Sequence, residues 1–142
     1  MTIASILAAK SKTLIRVAPD IPISAVTQIL HQNEIGAVLV MQDDELLGVL
    51  SDRGIVRAMA LNPGGVRAMA ASVAMKPRQQ EIAPSATLED AMRIMTLHRV
   101  RYLPVFETGK LIGVVSIGDV VKALLDRQSA TVESLTAYIG QG

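Results

Sequence analysis

Cysteine and tryptophan are both missing from the 142 residues. Without cysteine there is no disulfide framework, no thiolate zinc site and no cysteine nucleophile. A cytoplasmic location agrees with that usage and is the expectation. Aromatic residues make up only 2% of the chain, too few for base-stacking platforms. Neither sign of charge dominates: 14 Lys+Arg face 13 Asp+Glu, a net charge of +1. That leaves no basic field of the kind that drives nucleic-acid binding. The two histidines, His31 and His98, have no helical His/Glu pattern beside them, so no metal site is expected. Long uncharged runs are lacking too. Asp43, Asp44, Arg53, Arg57 and Arg67 interrupt the apolar stretches well short of the ~20 residues a membrane span needs. The opening MTIASILAAKSK has no basic residue ahead of its apolar run and does not read as a signal peptide.

What is present is apolar. Half the chain is hydrophobic and 19% is charged, which excludes a disordered chain. The length suits one compact domain. The apolar excess is more than a monomer this small easily hides, so a partner surface is expected.

The chain repeats itself. Val17-Ala18-Pro19 matches Ile82-Ala83-Pro84, Leu46–Ser51 matches Leu111–Ser116, and Val56-Arg57-Ala58 matches Val121-Lys122-Ala123. The offset is constant: 84 − 19 = 65, 113 − 48 = 65 and 123 − 58 = 65. Residues 15–60 set against 80–125 give 10 identities in 46 positions without a gap. Each unit reads β-α-β-β-α. Strands at 13–17 and 80–83 lead through Pro19 and Pro84 into amphipathic helices. Thr87 and Asp90 form a capping box for the second of these, and Pro22 takes the place of Thr87 in the first. Hairpins follow, 37–41 with 46–50 and 102–106 with 111–115. Pro104 within a strand implies an edge or a bulge. Second helices start near Ser51 and Ser116, the first of them ending at 62–65. Repeat one spans about 11–61, a connection 62–77 and repeat two 78–126, with a separate C-terminal helix at about 129–139. Residues 2–9 and 72–75 read as equivalent helical turns. The two units should bury their open sheet faces against each other with pseudo-twofold symmetry, making one α/β module over 1–142.

The sharpest local signal is Gly113-Val114-Val115-Ser116-Ile117-Gly118-Asp119. Ser-x-x-Asp at a helix start is a capping-box pattern. The same geometry suits a ligand. A helix N-terminus offers free N–H groups to a phosphate, a carboxylate can accept the hydroxyls of a ribose, and Gly113 and Gly118 let a ligand approach the backbone. The residues alone leave cap and nucleotide site both open.

With the Gly-h-h-Ser-x-x-Asp hairpin end and Arg101-Tyr102-Leu103-Pro104-Val105, the repeat order resembles a tandem cystathionine-β-synthase (CBS) domain pair over about 11–125. Within that family it is most similar to small stand-alone bacterial proteins. Their first repeat ends Ser-Glu-Arg-Asp-Ile-Val-Arg-Ala, where this chain has Ser51-Asp52-Arg53-Gly54-Ile55-Val56-Arg57-Ala58. The resemblance implies a non-catalytic regulatory module that binds an adenine nucleotide (AMP, ADP, ATP or an NAD(H)-type ligand) in the cleft between the repeats and signals to a partner protein. It implies no required cofactor. Asp119 matches the ribose-binding Asp and Ser116 the hydroxyl near the phosphate. Arg101 matches a position that supplies a phosphate cation, and Arg53 lies in the equivalent helix-start loop of the other repeat, which in such pairs can face the same phosphates. Ile82, Ala83 and Pro104 would flank the base, with Tyr102 also assigned to the ligand. Repeat one departs from the pattern: Gly54 stands where Asp119 would, and Gly36 where Arg101 would. One competent site is therefore expected. The alternative is an assembly module of the same fold without a ligand.

Catalysis is not expected, because no nucleophile–base arrangement stands out. His31 and His98, at helix ends, read as partners of the helix dipole. The methionines read as core filler. A homodimer is expected from the apolar excess and from the resemblance, with the helices after the hairpins and 131–139 as its contact.

Overall fold

The computed structural model describes residues 1–10 and 14–141, with the backbone alone for 131–141. In chain order the elements are α1 (Ile3–Ala9), β1 (Arg16–Val17), α2 (Ile23–Asn33), β2 (Ala37–Gln42), β3 (Glu45–Ser51) and α3 (Asp52–Leu61). A 3-10 turn (Val66–Ala68), α4 (Ala71–Ala74) and β4 (Lys76–Pro77) make the connection. Then come α5 (Leu88–His98), β5 (Tyr102–Glu107), β6 (Lys110–Ser116) and α6 (Ile117–Gln141).

The elements gather into two compact units. One comprises Lys12–Gln79, the other Met1–Ser11 together with Gln80–Gly142. Each repeat thus forms a unit with the short helix that precedes the other repeat. In the first unit β1 runs parallel to β2, β2 pairs antiparallel with β3, and β3 pairs with β4. In the second, β5 and β6 form an antiparallel pair. The expected strand at 80–83 contracts to one residue: Ile82 bridges Val105 in parallel, donating its N–H to the Pro104 carbonyl (3.0 Å) and accepting from the Phe106 N–H (3.0 Å). Pro104 lies opposite Val114, and the register shifts between Val105 and Phe106, beside it.

The 65-residue offset reappears in the packing. The first core holds Val17, Ile23, Val26, Leu30, Val38, Val40, Leu50, Ile55 and Ala58. The second holds Ile82, Leu88, Ala91, Met95, Leu103, Val105, Val115, Val120 and Ala123, each 65 positions later. The preceding helices complete the cores, Ala71 and Ala74 in the first, Ile3 and Ile6 in the second. Backbone bonds repeat as well. Ile35 N–H donates to Leu30 O and Val100 N–H to Met95 O, both at 3.1 Å. Asp52 N–H donates to Gly36 O (2.9 Å) and Ile117 N–H to Arg101 O (2.8 Å).

Local chemistry explains the ends. Thr87 and Asp90 cap α5 reciprocally, Asp90 N–H to Thr87 Oγ1 (3.1 Å) and Thr87 N–H to Asp90 Oδ2 (3.0 Å). Pro22, without a side-chain donor or acceptor, opens α2. The β5–β6 turn has positive φ at both Thr108 and Gly109, as a two-residue hairpin of the right twist requires. The separate C-terminal helix expected at 129–139 is instead the end of one helix, α6, which runs unbroken from 117 to 141. No glycine or proline lies between Asp119 and Ile139 to stop it. The homodimer contact expected of 131–139 concerns side chains outside the described residues.

Candidate functional site

The β6–α6 junction carries the candidate site. Ser116 ends β6, and Asp119 stands in the first turn of α6. Asp119 N–H donates to Ser116 Oγ (3.1 Å), and Ser116 N–H donates to Asp119 Oδ2 (2.8 Å). This is the reciprocal capping box. A third group joins it: Lys10 Nζ lies 3.0 Å from Asp119 Oδ2 and donates to the Val114 carbonyl at 2.7 Å. Both side chains are largely covered, 15% exposed for Lys10 and 21% for Asp119. Burial pushes the Asp119 carboxyl up. The Ser116 N–H, the Lys10 ammonium and the Ser116 hydroxyl outweigh it and hold the carboxyl below its ordinary value. Among the described residues Oδ1 of Asp119 makes no hydrogen bond. The junction therefore holds an ionised carboxylate with one free oxygen at the positive end of a long helix.

The two glycines differ. Beyond its chain neighbours and the α6 backbone, a Cβ on Gly118 would meet, among the described residues, Ser116 Oγ alone, at an ordinary contact distance of 3.6 Å. On Gly113 it would lie 3.0 Å from Leu7 Cδ2. The expectation that Gly113 admits a ligand to the backbone is corrected: the α1 side chain Leu7 covers it.

The other candidates fall in three groups. Arg101 lies at the junction through its carbonyl, which accepts from Ile117 N–H, and its side chain is exposed. Tyr102 is half-buried and Ala83 exposed. Ile82 is a core residue, 5% exposed, with its backbone N–H and carbonyl both bonded within the unit. Pro104 is also buried. Arg53 belongs to the other unit, where Ser51 caps α3 by accepting from Gly54 N–H (3.2 Å). That cap has no carboxylate beyond Asp52, whose Oδ1 accepts from Arg53 N–H (2.7 Å). His31 and His98 occupy the last turns of α2 and α5. Among the described residues no three His, Asp or Glu side chains gather to hold a metal ion, and no helix is long and apolar enough to cross a membrane.

Lys10 is the site residue that the sequence did not disclose. It lies 109 positions from Asp119 and precedes the other repeat. The one available signal was the equivalence of 2–9 with 72–75, which places a chain segment beside each hairpin without saying which one.

The comparisons with known proteins agree with this architecture. The CBS domain family model matches twice, over residues 6–61 and 70–126. The CBS domain-containing protein YhcV of Bacillus subtilis is 30% identical over 115 residues, which cover 80% of this chain and 81% of YhcV. The crystal structure of the CBS-domain containing protein ATU1752 from Agrobacterium tumefaciens is 36% identical with a TM-score of 0.82, covering 87% of this chain and 98% of that one. The crystal structure of CBSX2 in complex with AMP is 25% identical with a TM-score of 0.72, covering 89% and 98%. Two family matches, two cores in one register and two capped hairpin–helix junctions make this chain a member of the CBS-domain family, carrying the domain as a tandem pair.

Proposed function

We propose that the chain is a regulatory module that binds an adenine nucleotide, AMP, ADP, ATP or an NAD(H)-type ligand, at the β6–α6 junction and passes its occupancy to a partner protein without catalysing a reaction. Asp119 accepts from the ribose, Ser116 and the N-terminal N–H groups of α6 face the phosphate, and Arg101 supplies the cation. Tyr102, Ala83 and the backbone around Ile82 and Pro104 lie toward the base. The observation that carries this reading is the ionised Asp119 at the start of α6, with Oδ2 engaged by Ser116 and Lys10 and Oδ1 without a hydrogen bond among the described residues. The AMP bound by CBSX2 supports the ligand class. The test is a thermal-shift panel of adenosyl compounds. A ligand at ~100 times its dissociation constant adds ~2.7 kcal/mol. A shift that Asp119→Ala removes supports the reading, and a shift that survives the substitution overturns the site.

A second reading rests on the apolar surface. Ile117, Val121 and Leu125 recur every four residues on α6 and are exposed, as are Val56 and Met59 on α3. These faces support a homodimer, and an assembly module of this fold would use them without a nucleotide. No thermal shift from any adenosyl compound, together with a dimer in light scattering at micromolar concentration, favours that reading.

A further inference from the structure

The Asp119 carboxylate is already half used. A carboxylate has two oxygens, each with two lone-pair positions. Oδ2 receives the Ser116 N–H at 2.8 Å and the Lys10 ammonium at 3.0 Å, so both of its positions are filled. Oδ1 has no partner among the described residues. The two hydroxyls of a vicinal diol diverge, and they bond a carboxylate best with one hydroxyl on each oxygen. Here only one oxygen is open.

Lys10 is held in place. Its bond to the Val114 carbonyl (2.7 Å) fixes the ammonium at the end of β6, and its stem is covered. Leu7, three residues earlier, packs on Gly113 of the same strand. The ammonium is thus anchored independently of the carboxylate.

We infer that Lys10 is a specificity-determining residue. By occupying Oδ2 it leaves Oδ1 as the open acceptor, so the site reads a single ribose hydroxyl and not the vicinal diol. The inference rests on the nucleotide reading above and adds to it the form of sugar that the site distinguishes. It predicts tolerance of one deoxyribonucleotide, which an unencumbered carboxylate would not show.

The test is calorimetric titration of AMP, 2′-deoxy-AMP and 3′-deoxy-AMP into wild type, Lys10→Met, Lys10→Leu and Asp119→Ala. A hydrogen bond to a charged group changes affinity about tenfold or more. In wild type, one deoxynucleotide should bind within about threefold of AMP and the other about tenfold or more weaker. In the folded Lys10 variants both should fall about tenfold or more below AMP, because Oδ2 is released to the second hydroxyl. The wild-type arm stands alone should a variant fail to fold. Wild type that discriminates against both deoxynucleotides tenfold overturns the inference while leaving the nucleotide reading intact. So does an equal loss for all three ligands in the Lys10 variants, which marks a purely structural lysine. AMP affinity unchanged in Asp119→Ala overturns the nucleotide reading, and the inference with it.

Discussion

Asp119 does two things with one charge. It closes the capping box of α6 and it pairs with Lys10 at the end of β6. Because the folded carboxyl titrates below its unfolded value of about 3.9, the ionised form favours folding. The contribution is complete above about pH 3.9 and is lost as pH falls through the lower folded value. Asp119→Ala should therefore cost about 1 kcal/mol at neutral pH, the size of a lost cap. The gap from wild type should close in acid, and urea melts at several pH values measure it. A gap that stays constant down to pH 2 contradicts the assigned role. Ser116 and Asp119 were legible in the sequence because a capping box is a local pattern. Lys10 was not, since its contact depends on where a distant helix packs. Ile82 was readable as an apolar strand residue, but only the packing shows that its side chain faces the core.

At the scale of elements, local signals carried the hairpins, the capped helices and the repeat register. Turn residues and alternating apolar positions sit within a few residues of one another. The grouping of elements was less legible. Two short helices lead into the repeats, and each packs in the unit of the other repeat. Ile3 is fully buried in the core that contains Leu103 and Val105. Ile3→Ala should cost about 2–5 kcal/mol by opening a cavity there. Hydrogen exchange should show lost amide protection through 80–126 while 14–77 keeps its own. Uniform loss, or loss confined to 14–77, contradicts the assignment of α1. The continuous α6 has a simpler lesson: a polar stretch without a stop residue does not end a helix.

At the scale of the molecule, the repeats share a core register but not a chemistry. Gly54 and Gly36 occupy the positions of Asp119 and Arg101, so the first repeat has neither the carboxylate nor the cation. Its Ser51 cap forms all the same, so the cap does not depend on a carboxylate three residues on. Losing a hydrogen bond to a charged group costs about 1.5–3 kcal/mol, or one to two decades in affinity. Calorimetric titration of the adenosyl nucleotide that gives the largest thermal shift tests this most directly. One nucleotide should bind per chain, with binding abolished or weakened at least tenfold by Asp119→Ala. Two equal sites per chain, or one site indifferent to that substitution, would contradict it.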